Sequence, residues 1–314
     1  MDMDADTNNT DETDELRRRL RKQLLTGRSG SVSDARRPNG GGAGTIFFGR
    51  KPVTGATGPR PAAQAPPGEK VILEKAVDGT VIETDAGKAF VIDRPVGQMD
   101  AAAETLCETF GRCLADRASP LWGHLAGVVG PAELNAEDVI LLDLETTGLG
   151  TGPLFLIGTM LWRDGGLVTR QFFARDYSEE RAVIGLFLAE AAGKGLLVSF
   201  NGKSFDLPYV RVRAAATRVA QALDLPHLDL LHPVRRIWKD HFDDCRLQTL
   251  ERFVCGRSRT GDIPGWQIPQ AYHDYVRTGN AWQMTDCLEH NALDLITLAD
   301  LMTRLPRESS DLGS

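Results

Sequence analysis

No stretch of this chain approaches ~18 uninterrupted apolar residues, so a membrane-spanning helix is not expected. The N-terminus opens on acids and has no apolar segment of the secretory kind, which removes a signal peptide as well. Cysteine is sparse and poorly placed for cross-linking: five residues, at 107, 113, 245, 255 and 287, with no CxxC pair. An odd, scattered set argues against a disulfide framework or zinc ribbon and for reduced thiols in a cytoplasmic protein. The spacings of His232, His241, Cys245 and Cys255 match no ordinary zinc finger. Basic residues are absent from positions 1–15, which carry seven acids. Without that head, 36 acids face 36 bases, so the net charge of -7 describes the head and does not exclude a nucleic-acid partner.

What is present is the make-up of a globular protein. The 314 residues are 42% hydrophobic and 25% charged, enough for a sizeable core in two domains or in one with appendages. Residues 1–68 read as a disordered tail and linker: the acidic head, a short basic amphipathic segment from Leu16 to Leu25, then ten Gly and six Pro within 27–68. Phe47 and Phe48 in that linker are a random apolar spot or a short anchor for the domain or a partner. Residues 69–136 predict an accessory layer, a β-meander with strands near 71–73, 80–84 and 89–92 followed by a helix over 101–127. Residues 137–305 predict the main α/β domain, with three strands in succession and then strands alternating with helices. That order suits a mixed sheet with a long helical C-terminus. Residues 306–314 read as a second disordered tail.

The strongest local signal is Asp143-Leu144-Glu145 directly after an apolar strand. Residues i and i+2 of a strand face the same side, so both carboxylates emerge together at its C-terminal end while Leu144 turns back into the core. Adjacent acids repel, and a hard divalent cation is the common remedy; a solvated strand end is the plainer reading of that pair alone. Two more acids follow in the same style. Asp206 closes the run Ser199 to Asp206 after another core strand, and Asp294 lies four residues beyond His290 on a helix, so those two share a face. Four carboxylates and an imidazole suit phosphodiester hydrolysis with two metal ions, where His290 takes a proton from water near neutral pH.

These three motifs, in this order, resemble the DEDD superfamily of 3′–5′ exonucleases. The stretches His227–His232, Arg235–Trp238, Leu247–Glu251 and Asp262–Gly265, with the pair His290-Asn291, narrow the similarity to the YprB-like branch of bacterial predicted exonucleases. The resemblance covers roughly residues 70–305 and is most specific over 138–303. It implies a ribonuclease H-like mixed sheet flanked by helices. It further implies that Asp143, Glu145, Asp206 and Asp294 bind two divalent ions, Mg²⁺ or Mn²⁺, and that His290 is the general base. DNA is then the preferred substrate, with a helicase or repair partner, because the branch is associated with both; RNA fits the same chemistry. A silent nucleic-acid-binding or scaffold subunit ranks lower, since all four acids are present. One departure is visible. His-type DEDD enzymes usually place histidine five residues before the last aspartate, and here it stands four before, the spacing of the Tyr-type, a rotation of ~100° on a helix.

Contacts to the strand are expected from Asn201, Lys203 and Ser204 on the loop before Asp206, and from Arg235, Arg236, Arg257 and Arg259 along a groove. Turn chemistry explains the first three equally well, and a solvated surface explains most such arginines. Trp238, Trp266 and Tyr272 are stacking residues or, more in keeping with helical surroundings, core. The Asp262-Ile263-Pro264-Gly265 stretch reads first as a rigid turn and second as a substrate-shaping loop.

Overall fold

A strand buried on both faces reads as an unbroken apolar run, as residues 139–142 and 154–161 do. In the computed structural model, which describes residues 70–306 apart from 149, 151 and 260, both are central strands of one seven-stranded sheet. The described residues belong to the unit Ala56–Ser314. The expectations for 1–68 and 307–314, including the basic segment and the Phe47-Phe48 spot, lie outside them.

The strands are β1 (Thr80–Thr84), β2 (Gly87–Pro95), β3 (Val139–Thr146), β4 (Leu154–Arg163), β5 (Gly166–Phe173), β6 (Leu196–Ser199) and β7 (His227–Asp229). Their order across the sheet is β1-β2-β5-β4-β3-β6-β7. Neighbours from β1 to β3 run antiparallel, whereas β3, β6 and β7 are parallel. Beyond a single helical turn at Leu73–Ala76, the helices are α1 (Ala103–Ala115), α2 (Pro120–Val129), α3 (Glu180–Ala191), α4 (Asp206–Ala216), α5 (Leu231–Trp238), α6 (Leu247–Phe253), α7 (Ile268–Thr278) and α8 (Trp282–Arg304). The result is the mixed sheet flanked by helices that the sequence predicts. Among the described residues no helix is long and apolar enough to cross a membrane.

Two local differences have simple causes. Residues 71–73 are not a strand: the Val71 amide donates to Asn280 Oδ1 and its carbonyl accepts from the Ala281 amide, tying the segment to the start of α8. The helix expected over 101–127 is broken between α1 and α2. There Asp116 accepts from the Ala118 amide, and Pro120, with no N–H to continue a helix, begins the next one. The meander itself joins the main sheet through the β2–β5 pairing.

Each face of the sheet has its own core. Along β3, Ile140, Leu142 and Leu144 pack on one side, and Val139 and Leu141 on the other. Period-two alternation carries Asp143 and Glu145 onto the Val139–Leu141 side, which is also where Leu295, Ile296 and Leu298 of α8 pack. On the opposite side Tyr272 of α7 stacks on Phe155, with ring centroids 4.0 Å apart, and its hydroxyl donates to the Ala174 carbonyl. A buried ion pair fastens the start of β4. Glu180 accepts from the Leu154 amide and from Arg213 Nε and Nη2, the arginine bonds being 2.6 Å each.

One residue of β4 departs from its bulky neighbours. Gly158 lies opposite Asp143 on β3 and opposite Gln171 on β5. A Cβ at this position would collide with the Asn291 amide of α8, so the helix approaches the sheet at this point because glycine leaves room. Gly158→Ala is therefore expected to destabilise the fold by about 1–3 kcal/mol, the usual cost of overpacking. Denaturant unfolding measures it, and a change within ~0.5 kcal/mol, as for an ordinary surface site, would show that Asn291 does not need the space.

Candidate active site

The C-terminal ends of β3 and β6 lie side by side because the two strands are parallel. Asp143 and Glu145 are on β3, whose register shifts at Glu145/Thr146 as the strand leaves the sheet. From β6 the chain turns through 200–205 into α4, whose first residue is the buried Asp206. That turn is held from below by Asp229 at the end of β7. One carboxylate oxygen accepts from the Asn201 and Leu231 amides at 2.7 and 3.1 Å, and the other from the Lys203 amide at 3.0 Å. Asn201 takes a left-handed backbone with φ of 66°, a conformation asparagine tolerates better than most residues. A side chain at Gly202 would strike Ser199 Oγ, which is bonded to His227 Nε2 at 2.7 Å.

The third contribution is α8. His290 and Asp294 stand on one face, with His290 Nε2 3.5 Å from Asp294 Oδ2 and 3.9 Å from Glu145 Oε1. The four-residue spacing thus turns both side chains toward the end of β3. Asn291 is fully buried and spans the gap over Gly158: its Nδ2 donates to Asp143 Oδ2 at 2.8 Å, and its Oδ1 accepts from Gln171 Nε2 at 2.8 Å. A loop between α6 and α7 closes the site. Asp262 Oδ1 lies 2.8 Å from His290 Nδ1. Arg259 pairs with Asp294 at 2.5 Å, with Glu251 at 2.7 Å and with Asp262 at 3.3 Å.

Burial and repulsion set the protonation of this cluster. Burial, with the charges of Asp294, Glu145 and Asp206 added, holds Asp143 well above the usual carboxylate range, against a pull from His290. Glu145 is likewise raised by burial and by Asp294, Asp206 and Asp262. Burial pushes Asp206 up to about 7, although backbone groups of Asp206 and Leu144 pull it back. Burial disfavours a charged imidazole at His290, yet its bond to Asp262 and the charges of Asp294 and Asp262 outweigh that and raise it. Asp262 moves the other way: burial opposes its ionisation, and the bonds to His290 and Arg259 overcome it.

The donor set fits divalent cations in kind. Asp143, Glu145, Asp206 and Asp294 offer hard carboxylate oxygens, the ligands that Mg²⁺ and Mn²⁺ take, and their mutual repulsion leaves charge for a cation to neutralise. Among the described residues, no group of three His, Cys, Asp or Glu side chains is already arranged to hold an ion. The oxygens are turned to protein partners instead, Asp143 to Asn291 and Asp294 to Arg259.

The other expected contacts divide into two sets. Asn201, Lys203 and Ser204 lie on the turn beside Asp206, with Lys203 and Ser204 exposed, and Arg235 and Arg236 are exposed on α5. Arg257 and Arg259 do not line an open groove. Arg257 is engaged by Asp100 and Asp300, and Arg259 is almost fully buried among three carboxylates, where its charge offsets theirs. Of the three candidate stacking rings, Trp238 and Tyr272 are core, and Trp266 is 80% exposed. Asn291, Gln171 and Asp229 had no site role from the sequence, and Asp262 entered only within a stretch read as a rigid turn or, second, a substrate-shaping loop. The glycine within the apolar run of β4 was the available signal for Asn291, since such a glycine marks a close approach.

A pH test follows from Asp206. Its folded pKa of about 7 exceeds the ordinary ~3.9, so the folded state retains a proton that the unfolded chain has released between those values. The stability tied to that proton is complete below about pH 4 and is lost as pH rises through about 7. Asp206→Asn cannot titrate. In thermal melts with EDTA, its stability relative to the natural chain should rise across that window, and a pH-independent offset would contradict the assignment.

Comparison with family models agrees with this architecture. A family model described as RNase_H superfamily matches residues 140–306, from β3 through α8. The chain is 30% identical over 195 residues to the uncharacterized protein YprB of Bacillus subtilis (strain 168), an overlap of 60% of this chain and 47% of that protein. The chain thus spans about half the length of that relative. Among solved structures it is similar to the family B DNA polymerase of the hyperthermophilic archaeon Pyrobaculum calidifontis, with a TM-score of 0.42 and 18% identity over 52% of this chain and 24% of the polymerase. With the family match covering the segments that carry all four carboxylates and His290, the chain belongs to the RNase_H superfamily.

Proposed function

We propose that this chain is a metal-dependent 3′–5′ exonuclease that removes nucleotides from the 3′ end of a nucleic-acid strand, DNA in preference to RNA, and works beside a helicase or repair partner. One observation carries the reading: carboxylates from β3, α4 and α8 converge with an imidazole at the end of two parallel strands, where burial and the neighbouring charges raise Asp143 and Glu145 above the usual carboxylate range. Asp143, Glu145, Asp206 and Asp294 would hold two divalent ions, Mg²⁺ or Mn²⁺. Such ions, when bound, supply Lewis-acid stabilisation of the charge that develops on the phosphate and on the leaving oxygen.

The remaining roles fall to this chain's own side chains. His290 accepts a proton from the attacking water at Nε2, the ring atom that faces Glu145 and Asp294. The water oxygen bonds to phosphorus, the bond to the preceding 3′ oxygen breaks, and that oxygen takes up a proton. The products are a nucleoside 5′-monophosphate and a strand one residue shorter. Lys203 and Ser204 on the turn before Asp206, with Asn201, meet the phosphate backbone, and Arg235 and Arg236 extend the cationic path along α5. Trp266 presents an exposed ring four residues from Asp262 and stacks on an unpaired base.

Two experiments test the proposal. Single-stranded DNA and RNA labelled at either end, incubated with Mn²⁺, Mg²⁺ or EDTA, should shorten from the 3′ end only when a metal is present. Asp143→Ala should abolish the reaction, and His290→Ala should slow it by roughly 10²–10⁴-fold. Retained binding without cleavage of any substrate would instead make the chain a nucleic-acid-binding subunit. Separately, Trp266→Ala should weaken strand binding by about 1–3 kcal/mol, one base stack, and leave kcat unchanged. Equal binding by the variant in a fluorescence titration would remove Trp266 from the interface.

A further inference from the structure

The loop between α6 and α7 contributes more than closure. An ionised carboxylate only accepts hydrogen bonds, so the ring nitrogen facing Asp262 must carry the hydrogen. Asp262 Oδ1 lies 2.8 Å from His290 Nδ1, and Asp262 Oδ2 is occupied by Gln248 Nε2 and Arg259 Nη1 at 3.3 Å each. Both oxygens are therefore committed, and the carboxylate cannot turn away from the ring. The loop is fixed on either side of Asp262. Arg259 is buried among acids, Ile263 is packed in the core, and the Gln267 amide donates to the Pro264 carbonyl at 2.8 Å.

The consequence falls on the opposite nitrogen. With its hydrogen at Nδ1, a neutral His290 leaves Nε2 bare. That nitrogen faces away from Asp262, toward the two carboxylates Asp294 and Glu145, at 3.5 Å from Asp294 Oδ2 and 3.9 Å from Glu145 Oε1. The carboxylate also compensates the imidazolium formed when Nε2 takes a proton.

We propose that Asp262 is a positioning residue for His290: it selects the Nδ1–H tautomer and keeps bare Nε2 facing Glu145 and Asp294, ready to accept the proton of the attacking water. The proposal rests on the nuclease reading for its catalytic meaning, but the tautomer can be read without any activity. Asp262→Asn gives a sharp test because Gln248 and Arg259 both donate to the outer atom of the group. The oxygen of the new amide must face them, which places its nitrogen against His290 Nδ1. That nitrogen then donates where the carboxylate accepted and drives the ring hydrogen to Nε2.

The test is nitrogen NMR of the full metal-free chain with labelled histidine, at a pH where His290 is neutral, together with single-turnover rates and strand affinity. The natural chain should show hydrogen at Nδ1 and a bare Nε2. The variant should show the reverse, with a rate lower by about 10- to 100-fold and unchanged strand affinity. Hydrogen at Nε2 in the natural chain overturns the proposal, even if the variant does not fold. An unshifted tautomer or an unchanged rate in a folded variant overturns it as well. Failure of the natural chain to cleave any strand would instead remove the nuclease reading, while the NMR comparison still decides whether Asp262 sets the ring.

Discussion

Buried negative charge is the constraint to which the rest of this structure answers. Four acids meet where the long helix α8 crosses one end of the sheet, Asp206 buried and the other three half-buried, so water is restricted in separating their charges. The protein compensates with fixed partners: Arg259 against Asp294, the Asn291 amide against Asp143, and backbone groups of Asp206 and Leu144 against Asp206. None neutralises the cluster entirely: burial, and for Asp143 and Glu145 the neighbouring acids, still hold Asp143, Glu145 and Asp206 above the usual carboxylate range. That remainder of uncompensated charge is a stability cost without an evident structural benefit, which is why it points toward a cation and a reaction.

Geometry follows from packing at a few points. Asp143, Gly158 and Gln171 form a row across three strands, and Asn291 reaches over the gap in the middle to hold the two ends. Arg94 continues the row outward by donating to Gln171 Oε1 at 3.3 Å and pairing with Glu289 at 2.8 Å. On the other flank Asp229 gathers three amides and fixes the turn that delivers Asp206. Three different elements thus place the carboxylates, and α8 joins them because its apolar face is shared between both cores.

Much of this was legible in the residues. The apolar runs of β3 and β4, the paired acids after β3 and the i,i+4 spacing of His290 and Asp294 all state their arrangement locally, through strand alternation and helix pitch. The supporting groups did not, because their roles depend on contacts between distant segments. Asp262 and His290 meet across 28 positions, and Asn291 reaches Asp143 across 148. Arg259 was misleading for the same reason: an arginine in a polar loop suggests a solvated cation, and only the fold brings Glu251 and Asp294 to it. Pro120, by contrast, carries its message in its own ring, and its place at the first position of α2 explains the break in what apolar periodicity alone suggests is one helix.

The two ends of the sheet bear different loads. Opposite the carboxylates, β4 and β5 are joined by Asp164 and Gly165, both exposed and both in left-handed conformations, a tight two-residue hairpin suited to the strand twist. Strand rise places this tip roughly 20 Å from Gly158. A dye, a surface tether or an inserted module attached there would leave the whole length of the hairpin between itself and the chemistry. The fold therefore offers a handle that does not reach its working end.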